Sequence, residues 1–147
     1  MIGQGLTAAA VGHAIQLAVA PVFLITGIGA MLAVLANRLA RIVDSARVLE
    51  GRLPASDEKG RREIHRQLAV LSKRARLSYA AISLSALCAL LICVLIQILF
   101  LEVFLSLELP SLIGVLFFIA MMAFIFGLIC FLREVYIATA TLRIGPH

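Results

Sequence analysis

Three stretches of this chain carry no Asp, Glu, Lys or Arg: residues 1–37, 77–101 and 109–132. Each contains an apolar run of the length needed to cross a hydrocarbon core about 30 Å thick, which takes roughly 20 helical residues. The spans read as Ala14–Ala36, Leu77–Leu101 and Ser111–Leu132. Lipid offers no partner to an unpaired backbone amide, so only helices or a closed barrel can cross it. The runs are continuous and show no two-residue alternation, which excludes a barrel. Composition agrees, with 63% apolar and 14% charged residues and a mean hydropathy of +1.09. Soluble domains sit near 45–50% and about 25%. Three cysteines are too few to staple a small secreted scaffold. The expectation is therefore a single all-α integral membrane domain over 1–147 with three transmembrane helices.

A cleaved signal peptide is the competing reading of the first stretch. It needs a basic segment ahead of the apolar run, and no base precedes Arg38. Ala18-Val19-Ala20 has the form of a cleavage site, but Pro21 follows it directly and the apolar stretch then runs on. An uncleaved span is expected.

Lys and Arg placement sets orientation. Eleven of the thirteen lie within 38–76, and Arg133 and Arg143 follow the third span. This predicts a cytoplasmic 38–76 segment and C-terminus, an outside N-terminus, and a bacterial inner-membrane location. The 38–76 segment carries five acids against its eleven bases, a net of +6. It is nevertheless patterned. Leu39, Ile42, Ala46 and Leu49 recur at helical spacing, as do Ile64, Leu68, Leu71 and Ala75. The first helix is expected to leave the bilayer and end near Glu50, with Gly51 as a cap and Pro54 as the stop. Ser56 or Asp57 is suited to cap the next helix. A cytoplasmic antiparallel hairpin over about 37–76 follows. One register aligns its seam, because the pairs Ala46–Ile64, Ile42–Leu68, Leu39–Leu71 and Leu35–Ala75 share one sum of residue numbers.

The faces away from the seam carry the candidate contacts. Asn37, Arg41, Asp44 and Val48 form one stripe; its bland reading is a solvated face, its sharper one a subunit contact. Asp44 is expected to be held by Arg41, Arg47 or an Arg of a neighbouring chain. Arg62, Arg66 and Lys73, with Arg133, are candidates for anionic lipid headgroups. No aromatic side chains interleave the bases, so nucleic acid is not an expected partner.

Span two carries Ala81, Ser85, Ala89, Cys93 and Gln97 at strict four-residue spacing. This ribbon suits close helix packing, either within one chain, against Gly27 and Gly29, or between subunits. Ala81, Ser85, Ala89 and Gln97 are accordingly candidate subunit contacts. Pro21 should kink the first helix. No span holds an ionisable carboxylate, Lys or Arg, the usual marks of proton relays and coupled transport. Catalytic motifs are missing as well: there is no HExxH, GxSxG or P-loop, and Cys88, Cys93 and Cys130 form no CxxC. No enzyme, catalytic residue, cofactor or metal is expected. His13, His65 and His147 are scattered, and Glu102 and Glu108 mark the outer water boundary or, in an oligomer, a ring attractive to cations.

The run Ala20-Pro21-Val22-Phe23-Leu24-Ile25-Thr26-Gly27-Ile28, the run Asn37-Arg38-Leu39-Ala40-Arg41-Ile42-Val43-Asp44-Ser45-Ala46-Arg47, and Arg74-Ala75-Arg76-Leu77 together resemble the bacterial membrane family known as domain of unknown function 2721. The resemblance covers roughly 14–140, and Ser45 stands where the family often has another Arg. It implies a small bacterial membrane protein and supplies no activity or ligand. Three roles stay open: a self-associating scaffold, an oligomeric pore or channel, and an accessory subunit that docks a larger membrane complex. A homo-oligomer is the expected assembly.

Overall fold

The computed structural model describes residues 8–105 and 110–142. The expectations placed on Glu108, Arg143 and His147 fall outside them. Three long helices make up the described chain: α1 (Ala8–Arg52), α2 (Glu58–Leu105) and α3 (Pro110–Leu142). Each is long and apolar enough to cross a membrane.

The helices overrun the apolar stretches that define the spans. α1 is continuous through Pro21 and through Gly51, which is therefore no cap. It stops at Pro54, which has no N–H to donate and sits in a 3-10 turn over Leu53–Ala55. Ser56 takes up the free carbonyls of the α1 end: its hydroxyl donates to the Arg52 carbonyl at 2.8 Å and its N–H to that of Leu53 at 3.3 Å. Asp57 then caps α2, its Oδ1 accepting the Gly60 N–H at 2.9 Å. Gly60 leaves room for this cap, because a Cβ on it would sit 2.8 Å from that same oxygen and the Asp57 carboxylate would have to shift. α2 runs unbroken from this cap to Leu105, so Glu102 lies in the helix and not in a turn. α3 opens on Pro110, the helical position where a missing N–H costs least.

Contacts group the residues into two units, the first Met1–Met31 with Leu84–Ile125, the second Leu32–Ser83 with Phe126–His147. In the first unit the buried residues include Ala14, Ala18 and Ile28 on α1, Ala120 and Ala123 on α3, and Ser85, Cys88, Ile92 and Leu95 on α2. In the second they include Leu35, Ile42, Ile64, Ala81 and one charged residue, Glu134.

From Ser78 onward the buried positions of α2 are Ser78, Ala81, Ser85, Cys88, Ile92 and Leu95, spaced alternately by three and four. That spacing keeps one face inward. A strict four-residue ribbon instead drifts by about 40° per step on a helix of 3.6 residues per turn. The ribbon accordingly starts in the core at Ala81 and Ser85, is half-buried at Ala89, and ends exposed at Cys93 and Gln97. Gly27 and Gly29 are exposed, and a Cβ on either would meet nothing within 4 Å, so the expected packing of the ribbon against them does not form.

Candidate functional site: a buried carboxylate between two arginines

The second unit is organised around Glu134, whose side chain has no accessible surface. Arg74 of α2 donates from both Nε (3.0 Å) and Nη2 (2.9 Å) to its Oε1. Arg38 of α1 brings Nη2 to 2.8 Å from the other oxygen, Oε2. That approach is ionic and off-axis, since Oε2 accepts no hydrogen bond and Arg38 Nε is buried without a partner. The Arg38 guanidinium also lies over the Phe131 ring, 5.4 Å from its centre, within the range of a cation–π contact. One carboxylate thus ties together three helices. All three charged residues stand within three positions of a charge-free stretch: Arg38 directly after the first, Arg74 just before the second, Glu134 just after the third.

Burying a lone carboxylate is costly, and the cost is offset only where opposite charge and hydrogen bonds surround it. Here two guanidiniums share one carboxylate, so the cluster keeps an excess positive charge. Reading the sequence for charge-free spans passed over Glu134 as a boundary residue beside Arg133. A signal was present: on α3 the buried positions Ala120, Ala123 and Gly127 recur at three- and four-residue spacing, and Glu134 lies seven residues beyond Gly127 on the same phase. A carboxylate continuing a stripe of small residues has to meet a cation on the helix it packs against.

Beside two members of the triad, Arg38, Arg41, Ile42 and Ser45 of α1 and Leu71 and Arg74 of α2 line an open cleft of about 290 Å³. A second groove of about 710 Å³ lies on the other side of Leu71 and Arg74, where Leu49, Val70, Tyr136 and Ile137 supply apolar walls.

The sequence-derived candidates are dispersed by comparison. Asn37, Arg41 and Asp44 are exposed. Neither Asp44 nor Arg41 forms an ion pair among the described residues, so the expected pairing of Asp44 with Arg41 or Arg47 is not present within the chain. Ala81 and Ser85 have no accessible surface in the single chain and so offer none to a second copy. Arg62 pairs with Glu58 one turn away at 2.6 Å, both side chains in the open. Arg66, Lys73 and Arg133 are exposed and fall on no shared site, Arg66 lining the larger groove and Lys73 a shallow one with Ser72 and Arg76. Cys88, Cys93 and Cys130 are free thiols.

The family described as "Protein of unknown function (DUF2721)" matches residues 18–144, a range that includes all three members of the triad. The chain belongs to the DUF2721 family. No curated protein and no solved structure matches it. For this DUF2721 protein the functional reading must therefore come from its own residues.

Proposed function

We propose that this chain is a non-enzymatic, multi-pass scaffold of the bacterial inner membrane that self-associates through the outer face of α1. The N-terminus is outside, the C-terminus is cytoplasmic, and residues 37–76 form a helical hairpin on the cytoplasmic side. Lipid and anionic headgroups surround it, and its main protein partner is a second copy of itself.

The carrying observation is a stripe on α1. Gly29, Ala33, Ala36, Ala40, Val43 and Arg47 alternate by four and three residues, and all are exposed. The inward seam of the same helix, Ala14, Ala18, Ile28, Leu35 and Ile42, is a separate face. The other exposed apolar surface includes many large side chains such as Phe23, Leu90, Phe118 and Leu132, which lipid satisfies well, together with small residues such as Ala20, Ala86 and Gly114 that form no stripe of this length. Small residues on an outer face satisfy lipid less and allow another backbone to approach, the usual basis of helix association in a membrane. Asn37, Arg41 and Asp44 flank the stripe with polar groups where the helix leaves the apolar stretch. The Glu134 triad supports a static role, since one buried carboxylate is ion-paired to arginines of two other helices.

Particle mass in detergent tests the reading. The wild-type chain is expected to run as a closed oligomer and Ala33→Leu/Ala36→Leu as a monomer of unchanged helix content. A wild-type monomer, or an oligomer indifferent to this change, would overturn it; a lone chain co-purifying with a larger complex would replace it with the accessory-subunit reading. Ion flux through reconstituted oligomers would replace it with the pore. Orientation is checked in a cysteine-free background: Lys59→Cys should resist, and Glu102→Cys accept, a membrane-impermeant label on intact cells.

A further inference from the structure

We infer that the cleft formed by Arg38, Arg41 and Arg74 binds a phosphate group, supplied by the headgroup of an anionic phospholipid of the cytoplasmic leaflet. The inference rests on the membrane orientation proposed above. Three guanidiniums line or border the cleft and no carboxylate lines it. Glu134 neutralises one of the three positive charges and holds Arg38 and Arg74 in fixed positions. Arg41 is exposed and has no ion partner among the described residues, so its guanidinium is open to a ligand in the cleft. The Ser45 hydroxyl is engaged with the Arg41 carbonyl at 2.9 Å, which leaves the guanidiniums as the donors of the cleft. The ligand therefore has to be an acceptor-rich anion, and a planar guanidinium fork matches phosphate oxygens two at a time.

Size and depth select the source. A volume of about 290 Å³ is of headgroup size, and because the cleft is open the acyl chains can lie outside it. Arg38 directly follows a charge-free stretch and Arg74 stands three residues before another, which puts the cleft at the level of the phosphates with its apolar neighbours Ile42 and Leu71 beside it. The exposed bases Arg62 and Lys73 attract a negative surface without selecting any group on it. Arg41 is in a different position, because it completes a walled cleft.

The test uses the full chain in detergent, titrated with phosphatidylglycerol, phosphatidylcholine or inorganic phosphate, with bound lipid read by native mass spectrometry. Phosphatidylglycerol is expected to be retained in preference to phosphatidylcholine. Arg41→Gln should weaken that retention about fivefold, the effect of one Arg near an anionic surface, with the lipid-free melting temperature unchanged. Lys59→Gln, which removes the same charge far from the cleft, should change nothing. Equal retention of the two lipids, or equal loss in Arg41→Gln and Lys59→Gln, overturns the site. Inorganic phosphate binding as tightly as the lipid overturns the assignment to a headgroup. Recovery of the chain in carbonate-washed membranes separates failure of the cleft from failure of the membrane reading, since only the latter would release the protein.

Discussion

The first unit buries apolar and small side chains, with Ser85 its one polar residue in the described core, whereas the second buries a carboxylate. The contrast follows from where each unit's residues fall along the chain. The first is drawn largely from the charge-free stretches; in the proposed membrane setting little hydrophobic drive separates helix from lipid, and close packing supplies the cohesion. Its buried alanines on α1 and α3 permit that approach. The second begins where charges return, and there an ionic tie becomes affordable because guanidinium stems reach from partly exposed positions to a buried acid. Arg38 and Arg74 keep 33% and 22% of their side-chain surface, while Glu134 keeps none. Packing cohesion tolerates gradual change; a shared carboxylate does not.

The sharpest way to break this contrast is Glu134→Ala. It leaves two guanidiniums facing each other with no counter-charge, and loss of about 3–5 kcal/mol is expected, read as unfolding free energy in mixed detergent. The triple change Arg38→Leu/Arg74→Leu/Glu134→Leu should restore most of it, because a packed apolar cluster often equals a buried ion network. If the single change is silent, the triad is not what holds the second unit.

Overpacking is the corresponding test of the first unit. Ser85→Leu inserts bulk where no surface is left, and about 1–3 kcal/mol of destabilisation is expected in the same assay. Ala36→Leu, on the exposed stripe of α1, should leave monomer stability alone and change only particle mass. Equal destabilisation by both would mean that the outer stripe is packed within the chain.

A smaller effect is expected at the start of α2. Gly60→Ala drives a Cβ against the Asp57 carboxylate that caps the helix. The cap should be lost at a cost of about 1 kcal/mol, visible as faster amide exchange over the first turn of α2. No change there would show that the carboxylate moves aside freely.

Asp44→Ala should matter least to the folded chain. Asp44 has no ion pair among the described residues, so its removal should move the melting temperature by no more than an exposed pair would, about 0.5 kcal/mol or less. A shift in particle mass without a shift in melting would identify a partner on a neighbouring chain.

Much of this architecture was legible residue by residue. Charge-free length fixed the three apolar helices, because crossing or burying such a run is a matter of local hydropathy. Pro54 and Asp57 fixed the break between α1 and α2, because a missing donor and a capping acceptor act within one turn. The tertiary structure decided what depends on helical phase. It sent Ala81 and Ser85 into the core and Gln97 to the surface, since a four-residue repeat rotates around the helix as it advances. It left Gly27 and Gly29 facing outward. Above all it made Glu134 the centre of the second unit. In the chain that glutamate is one acid beside one arginine at the end of an apolar run; its partners, Arg38 and Arg74, lie on two other helices, and their charges acquire meaning only when packing excludes water from the oxygen atoms between them.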